Sequence, residues 1–214
     1  MFWIVYFIDK SIALHLGYPS IMIDKDIRVG LLQEKYYIEK HTDGWSRYPI
    51  FRWYTQLAIF ESRIYTKLYL IRSQSRSPLE RLQSVYQLDK ELLEWKEALL
   101  VEIQPEKVIH CSEEQFLPIA SIHFGYFNCL MTIHCVSINH GSWISSHLSQ
   151  VESTLCGQQL NSRVYSSQSI CLAAARCSIQ LLRSLPNGVV WFVSAFPTDL
   201  PNWTQFIILY RCSV

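Results

Sequence analysis

Apolar and polar residues recur with a helical period along most of the chain. Residues 2 to 16 form a mostly apolar run, and the stretch "LGYPS" (16 to 20) follows directly. Glycine is common just past the end of a helix, and Pro19 disfavours helical backbone at the residue before it. The pattern therefore predicts a first helix over residues 2 to 16 that ends at Gly17.

Three further segments have helically spaced apolar residues. They are an aromatic-rich segment from about Pro49 to Ile71, an almost wholly apolar one over 115 to 138, and one over 166 to 188. The middle segment is apolar on nearly every side, which predicts a central, buried helix. Residues 21 to 46 show no clear period and are predicted to be irregular, with "TDGW" (42 to 45) as a turn.

The clearest helix start in the sequence is "SPLE". Ser77 at the N-cap, Pro78 at the first helical position and Glu80 three residues after the cap form a capping box. Apolar residues then repeat at spacings of three and four, namely Val85, Leu88, Leu92, Trp95 and Leu99. One apolar seam is typical of a helix that packs on a core, and this helix is predicted to end near Pro105.

The composition agrees with a helical protein. The 214 residues are 50% apolar and 14% aromatic, and only 7 are glycine. Scarce glycine and long periodic runs favour helices over short strands joined by tight turns. We therefore predict an all-α fold, an irregular multi-helix bundle in a single domain. The net charge of +1 gives no global attraction to nucleic acid or to anionic lipid.

Neither end of the chain has the pattern of a membrane anchor or a secretory signal. Asp9 and Lys10 interrupt the first apolar run, which is too short to span a bilayer, and no basic segment precedes it. Near the other end, "PTDLPNWTQ" separates two apolar stretches. The odd count of 7 cysteines, without a C-x-x-C pair, indicates a reducing compartment. We predict no membrane association.

A cluster of cysteines and histidines is the one candidate for metal or catalytic chemistry. Its members are His123, Cys129, His134, Cys135 and His140. His123 and His134 would be three helical turns apart, and the cysteines lack the short spacing of a zinc knuckle. Packing in a buried helix is the simpler interpretation. A small helical enzyme or metal-binding protein using the Cys129 to His140 region remains the alternative.

Charged residues near the first helix have two interpretations. Asp9-Lys10 lies inside an apolar helix and Asp24-Lys25-Asp26 lies in the segment after it. A charged pair in an apolar helix must be solvated or paired, so we interpret these residues as caps or ion pairs that fix the loop on the bundle. The alternative is a site for a basic partner or ligand.

The first 27 residues also carry a family pattern. Its elements are Phe2-Trp3, Tyr6, Asp9-Lys10, Ser11, Leu16-Gly17, Pro19-Ser20, Asp24 and Asp26-Ile27. Together they resemble the fungal-specific transcription factor domain, the middle homology or xylanolytic activator regulatory domain of binuclear zinc-cluster regulators. "RSPLERLQSVYQLDKELLEWKEAL" and "CLAAARCSIQLLRSLP" are similar to later helices of that family. The resemblance covers roughly residues 2 to 196.

Three departures from the family pattern are visible. Tyr18 replaces the usual arginine of the Gly-Arg-Pro turn, and "IRVGLLQ" lacks the expected proline. Residues 197 to 214 resemble the family only at scattered apolar positions. We therefore divide the chain into a regulatory domain over 1 to 196, incomplete at its N-terminus, and a divergent tail over 197 to 214.

The resemblance implies a nuclear transcription regulator rather than an enzyme. It implies no cofactor in this chain, because zinc and DNA belong to a six-cysteine cluster N-terminal to the domain, and no such cluster occurs in the sequence. We expect the chain to be the C-terminal part of a regulator or a truncated product. A small-molecule effector or a protein co-regulator is the expected partner.

The resemblance also singles out eight residues, called the signature residues below. They are Trp3, Asp9, Lys10, Gly17, Pro19, Ser20, Asp24 and Asp26. Their expected role is to hold the first helix and the loop that follows it against the bundle. In the functional version of this hypothesis, the same loop forms the wall of an effector pocket.

Overall fold

The computed structural model describes residues 2–27, 49–70, 73, 76–147 and 155–185. Regular structure within these ranges is helical, which confirms the predicted all-α fold. The α-helices are α1 (Phe2–Leu16), α2 (Ile50–Ile64), α3 (Pro78–Glu97), α4 (Glu113–His147) and α5 (Leu155–Ser184). In this part of the chain, α4 packs against α2, α3 and α5, and α1 packs on α2.

The end of α1 is set by backbone geometry at Gly17. The residue has a φ of 69°, in the left-handed region that glycine adopts without steric cost. The Tyr18 N–H then donates to the Ala13 carbonyl at 3.1 Å, the hydrogen bond of a Schellman motif. The predicted end of the first helix is confirmed. The following segment forms a 3-10 turn at Asp24–Asp26, and the predicted turn at 42 to 45 lies outside the described residues.

Helix α2 ends differently from the prediction. A single helix was expected as far as Ile71, but α2 gives way after Ile64 to a π-helical turn, Tyr65–Tyr69. The Leu70 N–H donates to the Tyr65 carbonyl at 3.0 Å, and the backbone of Leu70 is extended. The wider turn lets the Tyr69 hydroxyl donate to the Thr132 carbonyl of α4 at 2.7 Å. A polar contact between the helices thus accompanies the irregular end.

Helix α3 begins as predicted. Ser77 caps the helix, the Glu80 N–H donates to the Ser77 hydroxyl, and the Glu80 carboxylate accepts from the Ser77 N–H at 2.9 Å. The predicted seam faces the core, with Val85, Leu88, Leu92 and Leu99 buried and Trp95 half-buried. The helix stops at Glu97, earlier than expected, and a 3-10 turn at Val101–Ile103 completes the stretch that was predicted as helix.

Helix α4 is the central helix that the sequence predicts, although it is longer than 115 to 138. Its window Glu113–Val136 is long and apolar enough to cross a membrane by length and composition, but 67% of that window is buried within the protein. Helix α5 likewise begins earlier than the predicted residue 166. Burial of the apolar window by neighbouring helices is what a core helix of a helical bundle requires.

A glycine allows α2 and α4 to approach closely. A Cβ atom on Gly125 would lie 2.4 Å from Cδ2 of Leu57, and Leu57 is itself fully buried. No real pair of carbon atoms tolerates that separation, so a side chain here would require the Leu57 side chain to move within the buried core. The close approach brings α2, which carries Glu61 and Ser62 of the polar network described below, onto the central helix.

Candidate functional site

The signature residues lie where α1 meets α2 and the segment 17–27, called the exit loop below. Trp3 and Tyr6 of α1 pack with Ala58 of α2 in one buried cluster. This packing fixes α1 on α2 and places the polar side chains of α1 over the returning loop. The site is therefore assembled from three parts of the chain: α1, the exit loop and α2.

Asp9 holds the exit loop through its carboxylate. One oxygen accepts from the Ile21 N–H at 3.1 Å, and the other accepts from the Met22 N–H at 3.0 Å and from the Ser20 hydroxyl. Partial burial raises the pKa of Asp9, but the hydrogen bonds from Ser20, Met22 and Ile21 outweigh it, and the net pKa is lowered. The ionised carboxylate thus satisfies loop donors that have no helical partner.

Lys10, the next residue of α1, also reaches the exit loop and is almost completely buried, with 3% of its side chain exposed. Its ammonium forms an ion pair of 2.8 Å with Asp24 and donates to the Met22 carbonyl. It also lies 5.0 Å from the centre of the Tyr6 ring. A buried ammonium is tolerated only when it is paired and hydrogen-bonded, and these contacts meet that requirement.

Asp24 connects the exit loop to both helices. Besides Lys10, it accepts from the Tyr6 hydroxyl at 3.0 Å and from the Ser62 hydroxyl of α2 at 2.5 Å. Burial raises the pKa of Asp24, but the hydrogen bonds from Lys10, Ser62 and Tyr6 prevail and lower it. Burial raises the pKa of Tyr6 far above its usual value, and the negative charge of Asp24 adds to this effect. The phenol therefore stays a donor at any physiological pH.

A second polar pair lies beneath this network. The Ser11 hydroxyl donates to the Glu61 carboxyl at 2.6 Å, and 2% of Glu61 is exposed. Burial raises the pKa of Glu61 to about 8, although the Ser11 hydrogen bond acts in the opposite direction. At neutral pH most of the folded protein therefore holds Glu61 in its uncharged form.

The remaining signature residues shape the loop or stand apart from the network. Gly17 provides the turn, Pro19 is exposed, and Trp3 is buried at 7% exposure against the Tyr6 ring. Asp26 is exposed, and within the described part of the chain no side-chain hydrogen bond or ion pair joins it to another residue. The structure thus brings together Asp9, Lys10, Ser20 and Asp24, but not Asp26.

Several members of the network were not singled out in the sequence. They are Tyr6 and Ser11 of α1, and Glu61 and Ser62 of α2, of which Tyr6 and Ser11 appeared only within the family pattern. A signal for Glu61 existed, because this acidic residue falls within the helical seam that contains Leu57, Ala58 and Ile64. A carboxyl group on the apolar face of a helix must be neutral or paired.

The described residues of the Cys129 to His140 region do not assemble into the alternative site. The His123 Nε2–H donates to the Ile103 carbonyl at 2.8 Å, and burial lowers the pKa of this histidine. Cys129 is fully buried, which raises its pKa. Among the described residues, no group of three or more His, Cys, Asp or Glu side chains could hold a metal ion. The side chain of His140 is outside the described set.

His134 joins three helices. Its Nε2 lies 3.1 Å from Oδ1 of Asp89 on α3, and its Nδ1 lies 3.1 Å from the Ser167 hydroxyl of α5. In the neutral tautomer that satisfies both contacts, Nε2–H donates to Asp89 and Nδ1 accepts from Ser167. The order of groups is that of a hydrolase triad, but His134 and Ser167 are each only 5% exposed. The arrangement fixes helix positions instead of presenting a nucleophile.

The geometry defines a class of domain. It is a helical bundle whose first helix and exit loop are fixed to the second helix by buried ionic and hydrogen-bonded contacts. In the described residues these polar groups satisfy one another, so the arrangement can position elements of the fold. It does not supply a nucleophile or a general base in an open site.

Comparison with known proteins identifies a domain in the first 97 residues. Residues 1–97 match the family described as the fungal specific transcription factor domain. These residues therefore carry a fungal specific transcription factor domain, which confirms the resemblance seen in the first 27 residues. No solved structure matches the chain. The predicted boundary at residue 196 is not tested and stays a prediction.

Curated relatives extend the similarity to most of the chain. An ABC-transporter-regulating transcription factor of Aspergillus oryzae is 35% identical over 207 residues, 93% of this chain and 23% of the relative. A protein of the same description from Aspergillus fumigatus has the same identity and coverage. An uncharacterized transcriptional regulatory protein of Schizosaccharomyces pombe is 28% identical over 200 residues, 87% of this chain and 27% of the relative. The chain thus spans about a quarter of the length of these relatives.

Proposed function

We propose that this chain is a regulatory part of a fungal transcription regulator and that it acts by conformational control, without catalysis of its own. The observation that carries the proposal is the family match over residues 1–97. It is supported by the names of the relatives, which are transcription factors or transcriptional regulatory proteins. The proposed place of action is the nucleus.

The chemistry of the chain suggests that it transmits a signal and that another part of the regulator binds DNA. The net charge of the chain is +1, and its sequence has no run of consecutive Lys or Arg residues of the kind that contacts phosphate groups. We place DNA and zinc binding in a zinc cluster of the full-length regulator, N-terminal to the residues described here. The present residues would transmit a signal from a small-molecule effector or a protein co-regulator.

The element proposed to change is the junction of α1, the exit loop and α2. Lys10 and Asp24 together hold all three parts, so loss of one side chain loosens the junction as a unit. A packed, hydrogen-bonded junction has discrete arrangements and not a continuous range of positions. This is the property that a regulatory domain needs in order to switch.

The class of target genes is suggested by the Aspergillus relatives. Both are named for regulating ABC transporters, and both align with 93% of this chain. We propose genes for ABC transporters as the first candidates. Deleting the reading frame in the fungus that encodes it should change the transcripts of a defined gene set that includes such transporters. Unchanged transcripts after deletion would contradict a role in transcription.

A second experiment tests conformational control. Asp24→Asn and the matched control Asp26→Asn are introduced into the full-length regulator, and target transcripts are measured together with the amount of regulator protein. Conformational control predicts altered transcript levels at equal protein amount for Asp24→Asn, and unchanged levels for Asp26→Asn. Transcript levels that follow only the amount of protein would mean that the junction is purely structural.

A further inference from the structure

Helix α1 carries exposed aliphatic side chains on the face that turns away from α2. Five of its large apolar residues are exposed: Ile4, Val5, Ile8, Ile12 and Leu16. The buried residues of the same helix, among them Trp3 and Tyr6, lie on the opposite face and pack towards α2. A single exposed aliphatic side chain is ordinary on a protein surface, but a contiguous row of them marks an interaction site.

Four of these residues form a continuous ridge, called the α1 ridge below. Its members follow one another at intervals of four residues: Ile4, Ile8, Ile12 and Leu16. Side chains at this interval line up along a helix and form the ridges by which helices pack. The exposed fractions of Ile4, Ile8 and Ile12 are 46%, 48% and 51%. Because isoleucine is stiff at χ1, the ridge has little side-chain entropy to lose when another surface covers it.

The exit loop extends this apolar surface at the side of the ridge. The Ile21 N–H donates to the Asp9 carboxylate, which places Ile21 beside the ridge, and Ile21 is 89% exposed. The Asp9 carboxylate is occupied by its three hydrogen bonds from the loop. Lys10, the other ionised residue of α1, is buried on the opposite face. The ridge is therefore aliphatic along its whole length and is bordered by a carboxylate whose hydrogen bonds are satisfied.

The size of this surface matches a small protein interface. The ridge, Val5 and Ile21 together offer roughly 300–600 Å² of contiguous apolar surface, which is the size of patches that are often functional. Two such surfaces, one from each of two copies, bury about 1,000 Å² in total when they meet, which is near the lower limit for a specific interface. A second copy of the chain therefore meets the area requirement without any further element.

We propose that the α1 ridge is an interface between two copies of this chain, in which the two α1 helices pack antiparallel across a two-fold axis. A ridge of four-residue spacing packs in the groove beside a second ridge of the same spacing. Among the described residues, α1 is the helix that exposes such a ridge. Opposed helix directions also place the positive end of each helix dipole beside the negative end of the other.

The two-fold axis fixes which residues meet. It passes between the second and third members of the ridge, so Ile8 of one copy lies against Ile12 of the other, and the same contact occurs a second time by symmetry. The junction of α1 with α2 is on the opposite face, so Lys10 and Asp24 keep their contacts when the copies associate. The inference goes beyond the function proposed above and does not depend on it.

The primary test is the oligomeric state of the purified chain. Sedimentation equilibrium from about 1 to 300 μM covers the micromolar dissociation constants that a small interface gives, and it should show a reversible monomer–dimer equilibrium. Ile8→Lys should raise the dissociation constant roughly tenfold or more, because each dimer would hold two lysines against isoleucine. Val108→Lys, at an exposed aliphatic residue outside α1, is the matched control and should leave the constant unchanged.

A mixture of two variants tests the antiparallel pairing. Ile8→Lys and Ile12→Glu should each be mainly monomeric alone, because each places a charge against isoleucine twice in its own dimer. In the mixture the new lysine of one copy meets the new glutamate of the other, and the second contact is again between two isoleucines. A heterodimer should therefore form. Both positions are exposed, so the circular dichroism spectra and melting temperatures of the variants should match those of the unmodified chain.

Four results would overturn the proposal. They are a monomer throughout the concentration series, a dimer that Ile8→Lys does not weaken, a mixture without heterodimer, and an unmodified chain that stays monomeric but binds vesicles of neutral phosphatidylcholine through the ridge. The last result would assign the ridge to a lipid surface. A dimer that Ile8→Lys weakens, that Val108→Lys preserves and that the mixture restores would establish the interface.

Discussion

Lys10 and Asp24 form an ion pair of 2.8 Å in which the two partners differ greatly in exposure. The side chain of Lys10 is 3% exposed, and that of Asp24 is 43% exposed. The lysine therefore depends on its partner, because a buried ammonium is tolerated only with a counter-charge. The aspartate connects this charge to α2 through Ser62.

Replacing Asp24 by Asn should destabilise the domain. The variant leaves the buried ammonium of Lys10 without a counter-charge, which should lower the free energy of unfolding by about 1–3 kcal/mol. Chemical denaturation followed by circular dichroism measures the change. Asp26→Asn, an exposed neighbour in the same turn, is the control and should be near neutral. Equal losses in the two variants would argue against the ion pair as the cause.

The contribution of Asp9 should depend on pH. Its pKa in the folded state is lowered, so its stabilisation is present above the unfolded-state pKa of about 3.9 and is lost as the pH falls through the folded-state value. Asp9→Asn should therefore be less stable than the unmodified chain at pH 7, and the gap should close below about pH 4. Denaturation curves between pH 7 and pH 3 test this. A gap of constant size would show that the charge of Asp9 is unimportant.

The pH dependence that Glu61 gives to the stability should be opposite to that of Asp9. Its folded-state pKa of about 8 lies above the unfolded-state value, so stability is highest below the unfolded-state pKa and falls as the pH rises through the folded-state value. Glu61→Gln keeps an acceptor for Ser11 and cannot ionise. It should match the unmodified chain near pH 4 and exceed it at pH 8.5 by something on the order of a few kcal/mol.

The comparison for Glu61 is made by urea denaturation at several pH values. Glu94→Gln, which changes an exposed glutamate of α3, provides the matched control and should have the same pH profile as the unmodified chain. Parallel profiles for Glu61→Gln and the unmodified chain would mean that Glu61 is already ionised in the folded protein.

The need for a positive φ at Gly17 can be tested by two substitutions that differ in their backbone preference. A Cβ atom at this position meets no atom within 4 Å, so the cost of a side chain comes from the positive φ alone. Gly17→Ala should cost about 1–2 kcal/mol, and Gly17→Asn clearly less, because Asn adopts the left-handed region more readily. Thermal unfolding measures both. Equal costs would point to crowding rather than to backbone conformation.

Local features of the sequence predicted the local features of the fold. The end of α1 at Gly17 and the capping box of Ser77 and Glu80 each depend on residues within one or two turns of each other. The interpretation of Asp9 and Lys10 as residues that fix the loop is supported by the contacts of both side chains. Such features follow from short-range rules on capping and charge pairing.

The partners from α2 could not be predicted in the same way. Ser62 and Glu61 reach the network only because α2 packs on α1, and no local pattern specifies which face of α2 meets which face of α1. The π-helical end of α2 was missed for the same reason, since Tyr69 bonds to Thr132 of a helix far along the chain. Tertiary contacts override local propensity at these places.

The hydrogen bonds of Asp9 also bear on the order in which the fold forms. They join residues only 11 to 13 apart, whereas the Ser11–Glu61 bond spans 50 residues and the His15–Asn128 contact spans 113. Short loops close rapidly and with little loss of chain entropy. The turn after α1 can therefore form before the contacts of α1 with α2 and α4, which close much longer stretches of chain.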